Sequence, residues 1–246
     1  MAPTIHLVRH AQGVHNLCAA NESIHDPDLT ALGVEQCVAL RAAFPHHASL
    51  TRLVASPLRR TAHTCINALG DDRLYPITGL DLLQEVSQAP CDTGSPADQL
   101  AAEFGPRVDF SRVDPAWTDK ASPESRFEPT IEKLTARARE ARRALRDLAG
   151  DGDDHIAAVT HGGFLHFLTD DWSGIPSGKA TGWANCEYRS YQFVDPTGKD
   201  EEAALQETPE SWRRRQGHEA PLSVREQEEI RAAVQKTLKP LLKIKN

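Results

Sequence analysis

The chain has 246 residues, is 39% hydrophobic and 26% charged, and carries a formal net charge of -7, the make-up of a globular chain long enough for one sizeable core. The acidic balance argues against a nucleic-acid binder, and no apolar run approaches the roughly 20 residues that span a bilayer. Five cysteines, Cys18, Cys37, Cys65, Cys91 and Cys186, form no CxxC pair and read as reduced thiols of a cytoplasmic protein.

The opening MAPTIHLVRHAQG has no charged region leading into a long apolar stretch, so no signal peptide is expected. Thr4 to Val8 is a short β-prone run. Thr30 then stands at an N-cap position, and Leu32, Cys37, Leu40 and Phe44 recur at helical intervals up to Pro45. Thr51 to Ala55 reads as a second strand. Ser56 and Pro57 read as the N-cap and first position of a helix through Leu69. Leu74 to Leu83 is a weaker third strand. Residues 84–128 are rich in Pro, Gly, Asp and Ser, which suggests a lid, an insertion or a binding loop. Ile131 to Leu148 is an Arg-rich amphipathic helix. His155 to Thr160 is a buried-type strand, Gly162-Gly163 opens another helix, and Glu187 to Val194 alternates like a strand. The charged stretch from about 205 to 246 reads as a helical tail, and no repeat is visible.

Strands alternating with helices predict a three-layer α/β/α sandwich with a mostly parallel sheet, one domain over residues 1–246. In such sheets ligands bind beyond the carboxyl ends of the strands. That rule selects Arg9-His10, Ser56 and Thr160-His161.

Those positions fall inside ordered motifs: LVRHAQGVHN at 7–16, SPLRRTAHT at 56–64, LLQEVSQAPCDTG at 82–94 and VTHGGFL at 159–165. Together they resemble the histidine phosphatase superfamily in its phosphoglycerate-mutase-like branch, over roughly residues 4–195. The resemblance implies that His10 is a nucleophile that becomes phosphorylated and that Arg9, Arg60 and His161 complete a phosphate pocket. It adds Asn16 as a further phosphate contact and Glu85 as proton donor, with Asp92 and Asp81 as competitors for that role. Two positions depart from the family's habit: Ala11 stands where Gly is usual, and Gln12 where Glu is usual. A mutase-type Glu-Arg-His-Tyr-Gly run is also absent.

The chemistry suits these residue types. An imidazole attacks phosphorus only when neutral, so its other nitrogen must be held by a hydrogen bond. Phosphoryl transfer spreads charge over three oxygens, and two guanidinium forks with a second histidine supply donors for it. Gly162-Gly163 permits close backbone approach at a helix N-terminus. A carboxyl group protonates the leaving oxygen and later deprotonates water.

Against these stand plain readings. Arg59 reads as a solvated charge, Ser56 and Thr160 as cap or turn residues, and Cys91 as packing. His6, His15, His155 and His166 do not match the spacing of a helical zinc pair, so no metal and no cofactor is expected, although His15 borders the pocket region. Arg213–Arg215 read as a solvated helix face. The expected function is a metal-independent phosphatase of a small phosphorylated metabolite, acting through phosphohistidine. A phosphomutase and a non-catalytic phosphate-ligand binder are the alternatives, and the oligomeric state stays open.

Overall fold

Side chains along the first strand alternate between two cores. Ile5 and Leu7 join one buried cluster, and Val8 joins the other, the period-two signature of a strand covered on both faces. The computed structural model describes residues 3–150 and 152–245. Its strands are β1 (Thr4–Arg9), β2 (Leu50–Ala55), β3 (Ile77–Gly79), β4 (Val108–Asp109), β5 (His155–Thr160), β6 (Tyr188–Phe193) and β7 (Leu205–Glu207). They form one sheet in the order β4-β3-β2-β5-β1-β6-β7. Neighbours from β4 to β1 pair in parallel, whereas β6 runs antiparallel to both β1 and β7.

The helices are α1 (Ala31–Ala43), α2 (Arg59–Leu69), α3 (Ala97–Phe104), α4 (Ile131–Ala149), α5 (Gly162–Thr169), α6 (Pro209–Gln216) and α7 (Val224–Leu238). Cys37, Leu40, Ala62, Cys65 and Leu69 of α1 and α2 pack on Leu53, Ala55, Ala157 and Val159. On the other face, Leu134, Ala141, Leu145, Phe164 and Leu168 of α4 and α5 cover Ile5, Leu7, Ile156 and Ala158. The result is an α/β sandwich with a mostly parallel sheet, and each fully buried Leu or Phe in it contributes about 1.5–3 kcal/mol. Among the described residues no helix is long and apolar enough to cross a membrane.

Several local expectations shift. Thr30 does cap α1, its side chain accepting from the Gly33 N–H, but Leu32 is 49% exposed and contributes nothing to the core. Ser56 is not the cap of α2. Its N–H donates to the Val159 carbonyl, which prolongs the β2 ladder, so the helix starts at Arg59 with Leu58 as N-cap. The third strand shrinks to Ile77–Gly79, because Pro76 lacks a donor and residues 81–83 coil into a 3-10 turn. Residues 84–128 are woven into the body: β4 pairs with β3 at the sheet edge, and Leu100, Phe104, Phe110, Val113, Trp117 and Phe127 are buried in the α1–α2 core. The segment from 205 opens with a strand, β7, before its helices.

Candidate active site

The carboxyl ends of β1 and β5 lie side by side because the strands pair in register, Arg9 opposite Thr160. The chain leaves β1 at His10, whose N–H donates to the Thr160 carbonyl at 2.9 Å. His10 is buried, and its Nδ1–H donates to the Ala11 carbonyl at 2.7 Å. That bond fixes the tautomer and leaves the Nε2 lone pair as an acceptor, which takes the Arg60 Nε–H at 3.4 Å. Burial, then the charges of Arg60 and Arg9, hold the His10 pKa well below its ordinary value, so the ring is neutral.

Arg60 projects from the first turn of α2 and is wholly buried. Besides His10, it donates to the Cys91 carbonyl, to Asp92 Oδ1 at 3.0 Å and to His161 Nδ1 at 3.0 Å. Arginine only donates, so His161 Nδ1 accepts, and His161 Nε2–H donates to Ser56 Oγ at 2.8 Å. His161 is therefore an acceptor toward Arg60 and a donor toward Ser56. Burial and then Arg60 hold its pKa well below the ordinary range. Arg9 is the freer fork: it donates to the Trp183 carbonyl, and its buried Nε has no partner.

Glu85 sits at the start of α5. Its Oε1 accepts from Val86 N–H at 3.0 Å and Phe164 N–H at 2.9 Å, and Oε2 accepts from Gly163 N–H at 3.2 Å. The helix N-terminus thus holds a carboxylate from this chain. The approach needs Gly163, since a Cβ there would lie 2.8 Å from Glu85 Oε1. Burial and the nearby Asp92 raise the Glu85 pKa, against Arg60 and the backbone N–H groups, which favour the anion. Oε2, with one long bond, is the oxygen with room for a proton. Asp92 is held by Arg60 and by Ser87 Oγ–H at 2.6 Å. Asp81 points elsewhere and accepts from the Asp114 N–H.

Arg9, His10, Asn16, Glu85, Asp92 and Gly163 together line a cleft of about 150 Å³; Arg60 and His161 are not among its lining residues, Arg60 being bonded to His10 and Asp92 of that wall and His161 to Arg60. Gln12 does not reach the cleft; its side chain accepts from Thr30 Oγ–H. Ala11 is fully buried against α1 and α2.

Three further sets of residues line or support the cleft; His15 is legible from its place beside Asn16, whereas the other two sets carry no local sequence signal. His15 borders the cleft, its ring 5.5 Å from that of His10. Gly13 N–H donates to Asn16 Oδ1, which turns Asn16 Nδ2 toward His15 Nε2 at 3.0 Å. The His15 proton is then on Nδ1, which is buried without a partner. Burial and Arg60 bring its pKa down to about 3. Lys120 and Arg137 work from behind the wall. Lys120 Nζ donates to the carbonyls of Glu85 at 2.7 Å, Ser87 at 3.0 Å and Asp92 at 2.6 Å. Those three acceptors match the three ammonium protons and favour the charge, whereas burial and Arg137 pull the pKa to about 7. Arg137 donates to the Gln84 carbonyl and lies 4.4 Å over the Phe164 ring. Finally, Leu241, Leu242 and Lys243 reach back to the cleft mouth, where Lys243 pairs with Glu22.

Residues 5–203 match the model of the histidine phosphatase superfamily, branch 1. A phosphoglycerate mutase-like protein of Arabidopsis thaliana is 28% identical over 78% of this chain and 84% of its own. A glucosyl-3-phosphoglycerate phosphatase of Mycolicibacterium vanbaalenii is 29% identical over 69% of this chain and 74% of its own. Among solved structures, a putative alpha-ribazole-5'-P phosphatase from Escherichia coli superposes with a TM-score of 0.53 at 19% identity, covering 84% of this chain and 96% of that one. This last similarity concerns the fold alone.

Proposed function

The chain belongs to the histidine phosphatase superfamily, branch 1, and on that premise we propose that it is a metal-independent phosphatase of a small phosphorylated metabolite. The observation that carries this reading is His10: neutral, held at Nδ1 by the Ala11 carbonyl, with Nε2 presented to the cleft beside Arg60. Nε2 attacks phosphorus as the P–O bond to the leaving group breaks, and Glu85 gives its proton to that oxygen. Water, deprotonated by Glu85, then attacks the phosphohistidine and restores the Nε2 lone pair. Arg9, with free donors, meets the phosphoryl oxygens first. Arg60 must exchange part of its bond to Asp92 for the phosphoryl group, and Asn16 and the unpartnered His15 Nδ1–H border the same space. The names of relatives that act on phosphoglycerate derivatives fit an acidic metabolite as substrate.

A panel of phosphate esters assayed for inorganic phosphate is the direct test. His10→Ala should abolish turnover, and denatured wild-type protein trapped during turnover should carry an acid-labile phosphate. Chelators should leave the activity intact, because guanidinium groups supply the charge stabilisation, while vanadate should inhibit. Substantial activity in His10→Ala would overturn the proposal. One observation favours a mutase as the second reading: the residues 241–243 that narrow the cleft mouth would shield a phosphohistidine from water. Phosphate transfer between hydroxyls without release would establish it.

A further inference from the structure

We propose that His6, His46 and His155 form a binding site for one divalent transition-metal ion, zinc by donor type, at the end of the sheet remote from the catalytic cleft. One nitrogen of each ring lies within 4.8 Å of one of each of the others. The fold assembles them from three separate elements. His6 is in β1, His155 opens β5, and His46 follows α1. In the parallel register Thr4 is opposite His155, so His6, two residues on, shares its face of the sheet. β5 runs from His155 to Thr160, which puts the cluster about 15 Å or more from the cleft by strand rise.

The details suit an imidazole site. His6 Nε2 and His155 Nδ1 are 3.0 Å apart, close to the roughly 3.3 Å between two nitrogens that each bind a tetrahedral ion at about 2.0–2.1 Å. His6 is buried, and its other nitrogen, Nδ1, bonds to Ser190 Oγ at 2.9 Å. A hydroxyl both donates and accepts, so it serves whichever tautomer the ring takes. With the proton on Nδ1, the His6 Nε2 lone pair faces the ion and Ser190 supplies the outer hydrogen bond that orients a ligating histidine. The proton now shared between His6 Nε2 and His155 Nδ1 moves to the outer nitrogen of its own ring, so neutral rings bind with no net proton loss. His46 and His155 are half-buried and leave a fourth position for water.

Two features oppose binding. The His46 ring lies nearly parallel to His6, at 21° with centroids 4.7 Å apart, so it must turn to aim its lone pair. It also stacks on His155, at 29° with centroids 5.7 Å apart, and meets the edge of Phe44, so binding must exchange this ring packing for ligation; the ring is half-buried and lies just after a helix end. The Arg214 guanidinium also acts on His6 and His46. It is solvent-exposed and tied to the Tyr188 carbonyl, so water and salt screen its charge.

The test uses the full chain, free of any affinity tag and stripped with chelator, titrated with Co²⁺ and then Zn²⁺. Wild type should take up one equivalent of Co²⁺ with the visible absorption of a tetrahedral nitrogen site, and Zn²⁺ should displace it and raise Tm. Both responses should be lost in His46→Gln and in His155→Gln, with folding checked by circular dichroism and phosphatase activity unchanged. No saturable uptake by wild type would overturn the proposal. So would uptake that survives in both variants, or that disappears in His10→Ala instead. The outcome is independent of whether the cleft proves to be a phosphatase site.

Discussion

Burial acts in opposite directions on His10 and Glu85, and both directions suit phosphoryl transfer. It keeps His10 neutral by holding its pKa well below 6.5, and it raises the Glu85 pKa above 4.5. In the proposed mechanism, attack by His10 should therefore be lost only at pH far below the ordinary imidazole range. Proton donation by Glu85 should be present at low pH and lost as pH rises through its raised pKa. For esters with poor leaving groups, single-turnover rates should fall with rising pH, and Glu85→Gln should remove that fall. The same variant should slow these esters by about 10²–10⁴-fold, and p-nitrophenyl phosphate far less, because its leaving group hardly needs a proton. An equal penalty for both classes would remove Glu85 from the acid role and point to Asp92, which Arg60 and Ser87 hold in the same cleft.

The elements matter through their ends. The N-terminus of α5 binds the carboxylate of Glu85, and the glycines there let it reach the helix N–H groups. Gly163→Ala should displace Glu85 and cost about 10²-fold in kcat, as a shift near 1 Å at a reacting group can, while the fold persists by circular dichroism. A rate near that of wild type would show that Glu85 is not so constrained. The turn from Glu85 to Asp92 is tied down by Lys120 on its carbonyls. Lys120→Met leaves these acceptors without their donor and should destabilise the protein by about 3 kcal/mol in urea unfolding. It should also lower kcat, because Glu85 and Asp92 lose their common anchor.

At the scale of the whole molecule, residues 242–244 reach back to the segment around Glu22. Leu242 and Ile244 are buried in the α4–α5 core, and between them Lys243 reaches Glu22 across the cleft mouth. A substrate bearing a second acidic group beside its phosphate would compete with Glu22 for that ammonium. Lys243→Ala should then raise KM for such substrates and leave p-nitrophenyl phosphate unchanged, as steady-state kinetics on both would show. Equal KM changes for the two would mean that Lys243 only helps to close the cleft.

The sequence by itself determined the sandwich and the main strands, because hydrophobic period and helix caps are local: Thr30 caps α1, and the run from His155 to Thr160 is β5. Ordered motifs also named Arg9, His10, Asn16, Arg60, Glu85 and His161, which the fold gathers at one end of the sheet. Only tertiary structure decided what those side chains do before substrate arrives. Arg60 is engaged by Asp92 and His161 through contacts 32 and 101 residues apart in sequence, and Lys120 holds carbonyls 28 to 35 residues away. The Lys120 contacts go to backbone carbonyls, which every residue type offers, and the Arg60 contacts join side chains far apart in sequence, so no spacing in the chain announces either. The burial of Trp117 and β4 within a Pro- and Gly-rich stretch, and the meeting of His6, His46 and His155, were hidden for the same reason. Each depends on which strands become neighbours, and strand order is set by packing over the entire sheet rather than by any local pattern.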